Sequence, residues 1–235
     1  MLLTQDQTHH LDHKQVRRLL KDASALPSIG QRMKSISAGL LGAPYLVNPL
    51  IGSIAEPEVF VATLDGFDCV TFMETVLALA RASDAKGFLD LLRNIRYTHG
   101  QVVWKKRHHY TTDWARHNIW HGWLRDLTRG EGTLVKTKAM TTVAGLRPRI
   151  VSFRYFPKRK LSRISRRLAD GDLIFFVSTR KGLDVFHTGI VFREGDHVIL
   201  RHAARSRGGV VEQELAEFVK ANRMPGFIIV RPTES

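Results

Sequence analysis

Apolar positions along the chain follow two regimes. In the first hundred residues they recur every three or four positions, the period of a helix with one buried face. Val16, Leu19 and Leu20 lie opposite Arg17, Arg18 and Lys21, which predicts a helix over 12–26 punctuated by Pro27 and Gly30. Met33, Ile36 and Leu40 carry a second helix to Gly42, a residue suited to a C-cap. Val70, Met73, Val76, Leu77 and Ala80 mark a third, entered through the loop and cap residues Asp65, Gly66 and Asp68. A short strand over 58–62 is predicted ahead of it, and a further helix over 84–93.

From residue 169 the runs become short, apolar and strand-like. Stretches over 173–177, 185–192, 197–202 and 226–231 are separated by turn residues including Gly171, Gly182 and Gly195, with a short strand after Arg207-Gly-Gly209 and a helix near 214–221. That spacing predicts an antiparallel meander. Helices first and strands afterwards give an α+β fold. Between them, residues 94–167 are dense in charge and aromatic side chains, with strand-like alternation only over 133–143. The chain is read as one domain in four parts: a flexible arm over 1–11, a helical part over 12–93, a basic, aromatic-rich insert over 94–167, and a β-meander over 168–235.

Composition narrows the function classes. A chain of 235 residues can bury a substantial core. Its one cysteine excludes an intramolecular disulfide, and no apolar run has the length of a membrane span. The first residues lack a basic stretch followed by an apolar one, so no secretory signal is visible. That reads as cytoplasmic for a chain complete as written, and as cell envelope for one trimmed or otherwise exported. The net charge of +14 implies affinity for polyanions: nucleic acid, anionic lipid or a wall polymer.

The lone cysteine, Cys69, sits where a loop becomes an apolar helix. A thiol in a first helical turn lies among unpaired N–H groups and the positive end of the helix dipole, which favour the thiolate. The same N–H groups stabilise an oxyanion. Against this stands the ordinary fate of a lone cysteine, a small core residue. His187 lies mid-strand and His202 ends the next strand, so a short turn brings the two side by side. A cysteine nucleophile needs a base, and the base needs a polar group to fix its tautomer. Cys69, His187 and His202 fit those three roles.

The ordered set resembles the papain-like cell-wall peptidases of the NlpC type. Gly42-Ala-Pro-Tyr45, Phe67-Asp-Cys-Val-Thr-Phe72 and Gly171-Asp-Leu-Ile-Phe-Phe176 leading to His187-Thr-Gly-Ile-Val191 carry the likeness. A closer resemblance is to the N-acetylmuramoyl-L-alanine amidase-like branch, long filed as a domain of unknown function. It adds Asn94-Ile-Arg-Tyr-Thr-His-Gly100, Arg107-His-His-Tyr-Thr-Thr-Asp-Trp114, Leu200-Arg-His-Ala-Ala204 and Gly226-Phe-Ile-Ile-Val-Arg-Pro232. The resemblance implies a papain-like fold with the nucleophile helix packed on a C-terminal antiparallel sheet. It implies Cys69 as nucleophile, His187 as base and His202 as orienting residue, with no cofactor. Tyr45 is implied to border the oxyanion, and Asp68 to line the cleft; its position before the helix reads as an N-cap. The implied reaction is hydrolysis of an amide in a peptidoglycan stem peptide through a thioester. Exported relatives carry a signal peptide, which this chain does not display.

The middle segment supplies candidate substrate contacts in Arg107, His109 and Tyr110, since stem peptides present carboxylates. A solvated basic insert is the competing account. Asp113, His117 and His121 share a helix face at zinc-like spacing, but no further ligand accompanies them and no metal is expected. The histidines His9, His10 and His13 read as solvated. The Lys- and Arg-rich run over 147–167, interleaved with Phe153, Tyr155 and Phe156, leaves open a basic module that docks nucleic acid or a wall polymer. A catalytically inactive member of the same fold is the third class. Oligomeric state has no sequence signal.

Overall fold

The computed structural model describes residues 11–234. The arm expected over 1–11, with His9 and His10, lies almost wholly outside the described residues. Two helices open the described fold: α1 (His13–Ser24), whose first N–H groups are bound by the Asp12 carboxylate, and α2 (Ile29–Ala38), entered through a Ser28/Gln31 capping box. Next come α3 (Cys69–Arg81), α4 (Ala85–Arg96) and α5 (Thr111–Trp120). Three strands follow, β1 (Leu124–Asp126), β2 (Leu134–Met140) and β3 (Arg149–Pro157), then the short α6 (Leu161–Ser165). The rest comprises β4 (Asp172–Val177), β5 (Val185–Glu194), β6 (His197–Ala204), β7 (Gly209–Glu214), α7 (Leu215–Ala221) and β8 (Gly226–Pro232).

The strands form one antiparallel sheet in the order β2-β3-β8-β4-β5-β6-β7, with β1 also paired to β8. The fold is therefore α+β. The predicted meander holds for β4 to β7 only. The last strand returns across the sheet to pair with β4, where both faces of Leu173–Val177 are covered and an edge strand would leave them wet.

Two apolar cores flank the sheet. Leu173, Phe175, Ile190 and Phe192 face α3 and its neighbours, whereas Ile174, Phe176, Val191 and Leu200 face α6 and α7. Helix α3 runs through the first core, and every residue from Thr71 to Ala80 is buried. Full burial of a Phe or Leu side chain stabilises by about 1.5–3 kcal/mol, so these two layers hold the sheet in register.

The strand predicted over 58–62 does not form. The segment is held by a loop contact, Val59 N–H to the Ile51 carbonyl at 3.2 Å, and by side chains. The Val61 carbonyl accepts from Arg96 Nη1 at 2.5 Å, and the Glu58 carboxylate accepts from the Tyr97 hydroxyl at 2.7 Å and Arg107 at 2.9 Å. No helix among the described residues is long and apolar enough to cross a membrane.

Candidate active site

The start of α3 is set by its cap. Asp68 Oδ1 accepts from the N–H groups of Val70 (3.0 Å) and Thr71 (2.8 Å), while the Asp68 N–H donates to Thr71 Oγ1 at 3.0 Å. This reciprocal box makes Cys69 the first helical residue. Cys69 is a half-buried free thiol. Its carbonyl accepts a hydrogen bond from Thr188 Oγ1 at 2.7 Å, which ties the head of α3 to β5 one residue from His187.

His187 and His202 meet. His187 Nε2 lies 2.5 Å from His202 Nδ1, with the ring planes 82° apart. The approach is diagonal: Ile190 pairs with Arg201, and continuing that register sets Gly189 across from His202. A Cβ at Gly189 would fall 2.5 Å from Leu200 Cδ1 and 3.1 Å from His202 Cβ, so only glycine leaves that space open. Phe218 of α7 packs 5.3 Å from both imidazoles, and Phe176 stacks on His187. Neighbouring strand residues point to opposite faces, so Thr188 reaches α3 while His187 joins the aromatic side chains beneath α7, and no hydrogen bond joins Cys69 Sγ to either histidine.

Burial sets the charges. The Cys69 thiol is pushed up to about 12, first by burial and then by the Asp68 carboxylate, against hydrogen bonds from Thr188. The thiolate expected from the helix terminus is thus not the resting form. A helix end stabilises an anion by about 0.3–1 kcal/mol, which is less than the burial of a charge costs. Burial, then the charge of His202, holds His187 down at about 3. Burial likewise takes His202 to about 4, opposed by Gln213. The resting trio is a neutral thiol and two neutral imidazoles.

That has a consequence for acid stability. These histidines bind protons in the unfolded chain near pH 6.5 and in the folded one only near 3 to 4. Between those values the unfolded state holds more protons, so stability present above pH 6.5 is lost as the pH falls. Each histidine contributes up to roughly 1.4 kcal/mol per pH unit. Urea unfolding at pH 7.0 and 4.5 is expected to differ by several kcal/mol, and His202→Gln should flatten that difference measurably. An unchanged difference would show that His202 is not buried neutral.

Of the other expected residues, Tyr45 and Asp68 flank Cys69, whereas Arg107 and His109 line a cleft whose walls do not include Cys69, His187 or His202. Tyr45 bridges to Phe67 in front of the cap. Burial and then the negative charges of Cys69 and Asp68 raise its hydroxyl pKa, while Arg205 pulls it back. Beside α3 opens a cleft of about 430 Å³ lined by Asp68, Val70 and Thr71, with Arg107, His108 and His109 among the residues of its lining. A larger concavity of about 940 Å³, rimmed by the exposed Trp120, includes none of these residues. Tyr110 is not brought to the cleft. It is buried against Met140 and Val151, and its hydroxyl accepts from the Thr142 and Val143 N–H groups. The shared face of Asp113, His117 and His121 divides: the two imidazoles lie 4.4 Å apart while Asp113 pairs with Arg149. Among the described residues, no group of three His, Cys, Asp or Glu is placed to hold a metal ion.

Sequence reading passed over Thr188, Gln213 and Phe218, and gave Gly189 only a place on the strand face of His187. The small residue two positions after His187 was the one available signal for a close approach. The other three depend on strand register and on α7, which no local pattern specifies.

The fold has counterparts among known proteins. A Legionella pneumophila protein of the DUF1460 family superposes with a TM-score of 0.82 over 94% of each chain, at 23% identity, and so shares the fold. A Bacteroides uniformis N-acetylmuramoyl-L-alanine amidase superposes with a TM-score of 0.77 over 88% of this chain and 99% of its own, at 26% identity. No curated protein matches at a significant level. The family model AmiA-like, described as N-acetylmuramoyl-L-alanine amidase-like, matches residues 35–227. The chain belongs to the N-acetylmuramoyl-L-alanine amidase-like family.

Proposed function

We propose that this chain is a cysteine-dependent amidase that cuts an amide of peptidoglycan stem peptides, on a papain-like scaffold of the NlpC type. The observation that carries the reading is the 2.5 Å His187–His202 hydrogen bond, on a strand whose next residue holds the Cys69 carbonyl. The order of helix-borne cysteine, strand-borne histidine and second strand-borne histidine supports the scaffold. The amidase named among the structural neighbours supports the substrate class.

In this mechanism His187 Nε2–H donates to His202 Nδ1, which leaves His187 Nδ1 as the basic nitrogen. As Cys69 Sγ bonds to the amide carbon, the thiol proton passes to His187 Nδ1, which this reading requires to come within hydrogen-bond reach of Sγ in the substrate complex. The oxygen takes the carbonyl electron pair and is met by the Cys69 N–H, which the Asp68 cap leaves free, and by the Tyr45 hydroxyl. The C–N bond then breaks as His187 returns the proton to the leaving nitrogen, and a thioester remains. Water attacks the thioester with His187 accepting its proton. The C–S bond breaks, the carboxylic product departs and the thiol is restored. Because thiol and base are neutral at rest, proton transfer accompanies attack and does not precede it. Arg107 and His109, on the cleft wall, contact the peptide; Arg107 is held by Glu58 and by the Gly52 carbonyl.

The pair of histidines gives the test. His187→Ala is expected to lower kcat/KM by roughly 10³-fold or more, since it removes the proton acceptor. His202→Ala is expected to cost far less, because it only loosens the ring that accepts. Equal and negligible losses on a soluble stem-peptide fragment would remove both from the mechanism.

A further inference from the structure

Next to the cleft lies a second concavity, of about 450 Å³, that the chemistry above does not use. It shares Arg107, His108 and His109 with the cleft and continues past them between the 3-10 turn Trp104–Lys106, the start of α5 and the loop before β3. Six of its lining residues are cations: Lys105, Lys106, Arg107, Arg116, Arg147 and Arg149. Asp113 is the one carboxylate in the lining, and it already pairs with Arg149 and lies 3.9 Å from Arg116. Glu58 binds Arg107 from behind. Two carboxylates against six cations leave a net positive hollow. Lys105, Lys106 and Arg147 stand exposed at its edge.

Such a hollow is held open against the mutual repulsion of its own charges, and an anion relieves that repulsion. Arginine presents paired N–H donors in the plane that a carboxylate or phosphate accepts, and lysine adds point charge. His108 adds a second feature: its Nε2 is buried and has no hydrogen-bond partner. Burial and the neighbouring His117, His109 and His121 hold that imidazole down at about 3, so it is a neutral polar group among cations.

We propose that this basic hollow is an oxyanion-binding subsite that takes a carboxylate or phosphate carried by the substrate beyond the bond that is cut. The proposal rests on reading the adjoining cleft as the substrate site. It assigns the subsite a specificity role: substrates that end in an anion bind here, and uncharged ones do not gain.

The test is calorimetric titration of the Cys69→Ala protein, which binds without turnover, at low and at physiological salt. The ligands are a stem-peptide fragment with a free terminal carboxylate, the same fragment as its carboxamide, and inorganic phosphate. The carboxylate form is expected to bind about tenfold tighter than the carboxamide, with the advantage shrinking as salt screens it. In Lys105→Ser/Lys106→Ser/Arg147→Ser, three exposed positions outside the catalytic set, the two forms are expected to bind alike. Lys105→Ser/Lys106→Ser/Arg147→Lys, which keeps a cation at that position, should recover part of the difference. Competition by phosphate shows that both anions occupy the hollow, and the tighter binder is the group it prefers; a carboxylate preference without phosphate binding identifies the peptide terminus. If neither fragment binds but phosphate does, and the triple variant loses it, the subsite stands and the stem-peptide reading falls. Equal binding of both fragments with no phosphate binding, or a triple variant that keeps the preference, overturns the proposal.

Discussion

Cys69→Ala is expected to lower kcat/KM on a soluble stem-peptide fragment by roughly 10⁴-fold or more, with the folded protein intact. The chain has no second thiol to substitute, and a general base without its nucleophile retains only binding and oxyanion stabilisation. Losing one half-buried sulfur costs on the order of 1 kcal/mol, so the thermal midpoint should move by only a few degrees. The split between a large kinetic loss and a small stability loss is what distinguishes a nucleophile from a core cysteine. A core cysteine would show the reverse: turnover close to the parent and a lowered midpoint.

The second large effect is structural. Glu74 lies in the middle of the apolar helix α3, and its carboxylate binds Arg96 Nε at 2.7 Å with the two side chains 2% and 3% exposed. Arg96 also holds the Val61 carbonyl, and its own carbonyl accepts the His108 N–H at 3.0 Å. Glu74→Ala leaves a buried guanidinium without its counter-charge and is expected to destabilise by about 3–5 kcal/mol, read by urea unfolding. The double variant Glu74→Met/Arg96→Met should recover much of that, because replacing both charges removes the unpaired one. Since Glu74 and Arg96 line the cleft, the double variant should still lose affinity for substrate while regaining stability. If Glu74→Ala unfolded at the parent urea concentration, the pair would contribute nothing and the cleft floor would need another support.

These two residues also show where sequence reading reaches its limit. The period of Val70, Met73, Val76, Leu77 and Ala80 identified α3, and the Asp68 cap identified its first residue, because both signals are local. Strands β4 to β7 were legible for the same reason: turn glycines bracket apolar runs. Pairing of the final strand with β4 was not, since strand partnership depends on which faces remain to be covered. The helical period has no place for Glu74, whose reason is Arg96, twenty-two positions on. Residues Cys69, His187 and His202 could be nominated from type and position, yet their charge states could not. A helix terminus and the Thr188 hydrogen bonds favour thiolate locally, while burial and the Asp68 carboxylate reverse the balance. Tyr110 shows the opposite error. An aromatic in a basic block suggests a binding surface, but its hydroxyl is occupied by the backbone of the loop before β3.

The basic run over 147–167 was also too coarse a unit. The fold deals it out to different places: Arg147 and Arg149 to the hollow beside the cleft, Lys158 to the Asn222 carbonyl, and Arg163 to α6. Charge that looks contiguous in sequence is therefore not one polyanion-docking face.

The most direct measurement is of the covalent intermediate. The protein is mixed with a stem-peptide fragment, quenched in acid within milliseconds to seconds, and its intact mass and peptide map are recorded. The account predicts a population heavier by the acyl part of the fragment, located on the peptide containing Cys69 and absent from Cys69→Ala. Neutral hydroxylamine should discharge it, as it does a thioester. Turnover of the fragment by the Cys69→Ala protein at the parent rate, with no adduct in either protein, would contradict it.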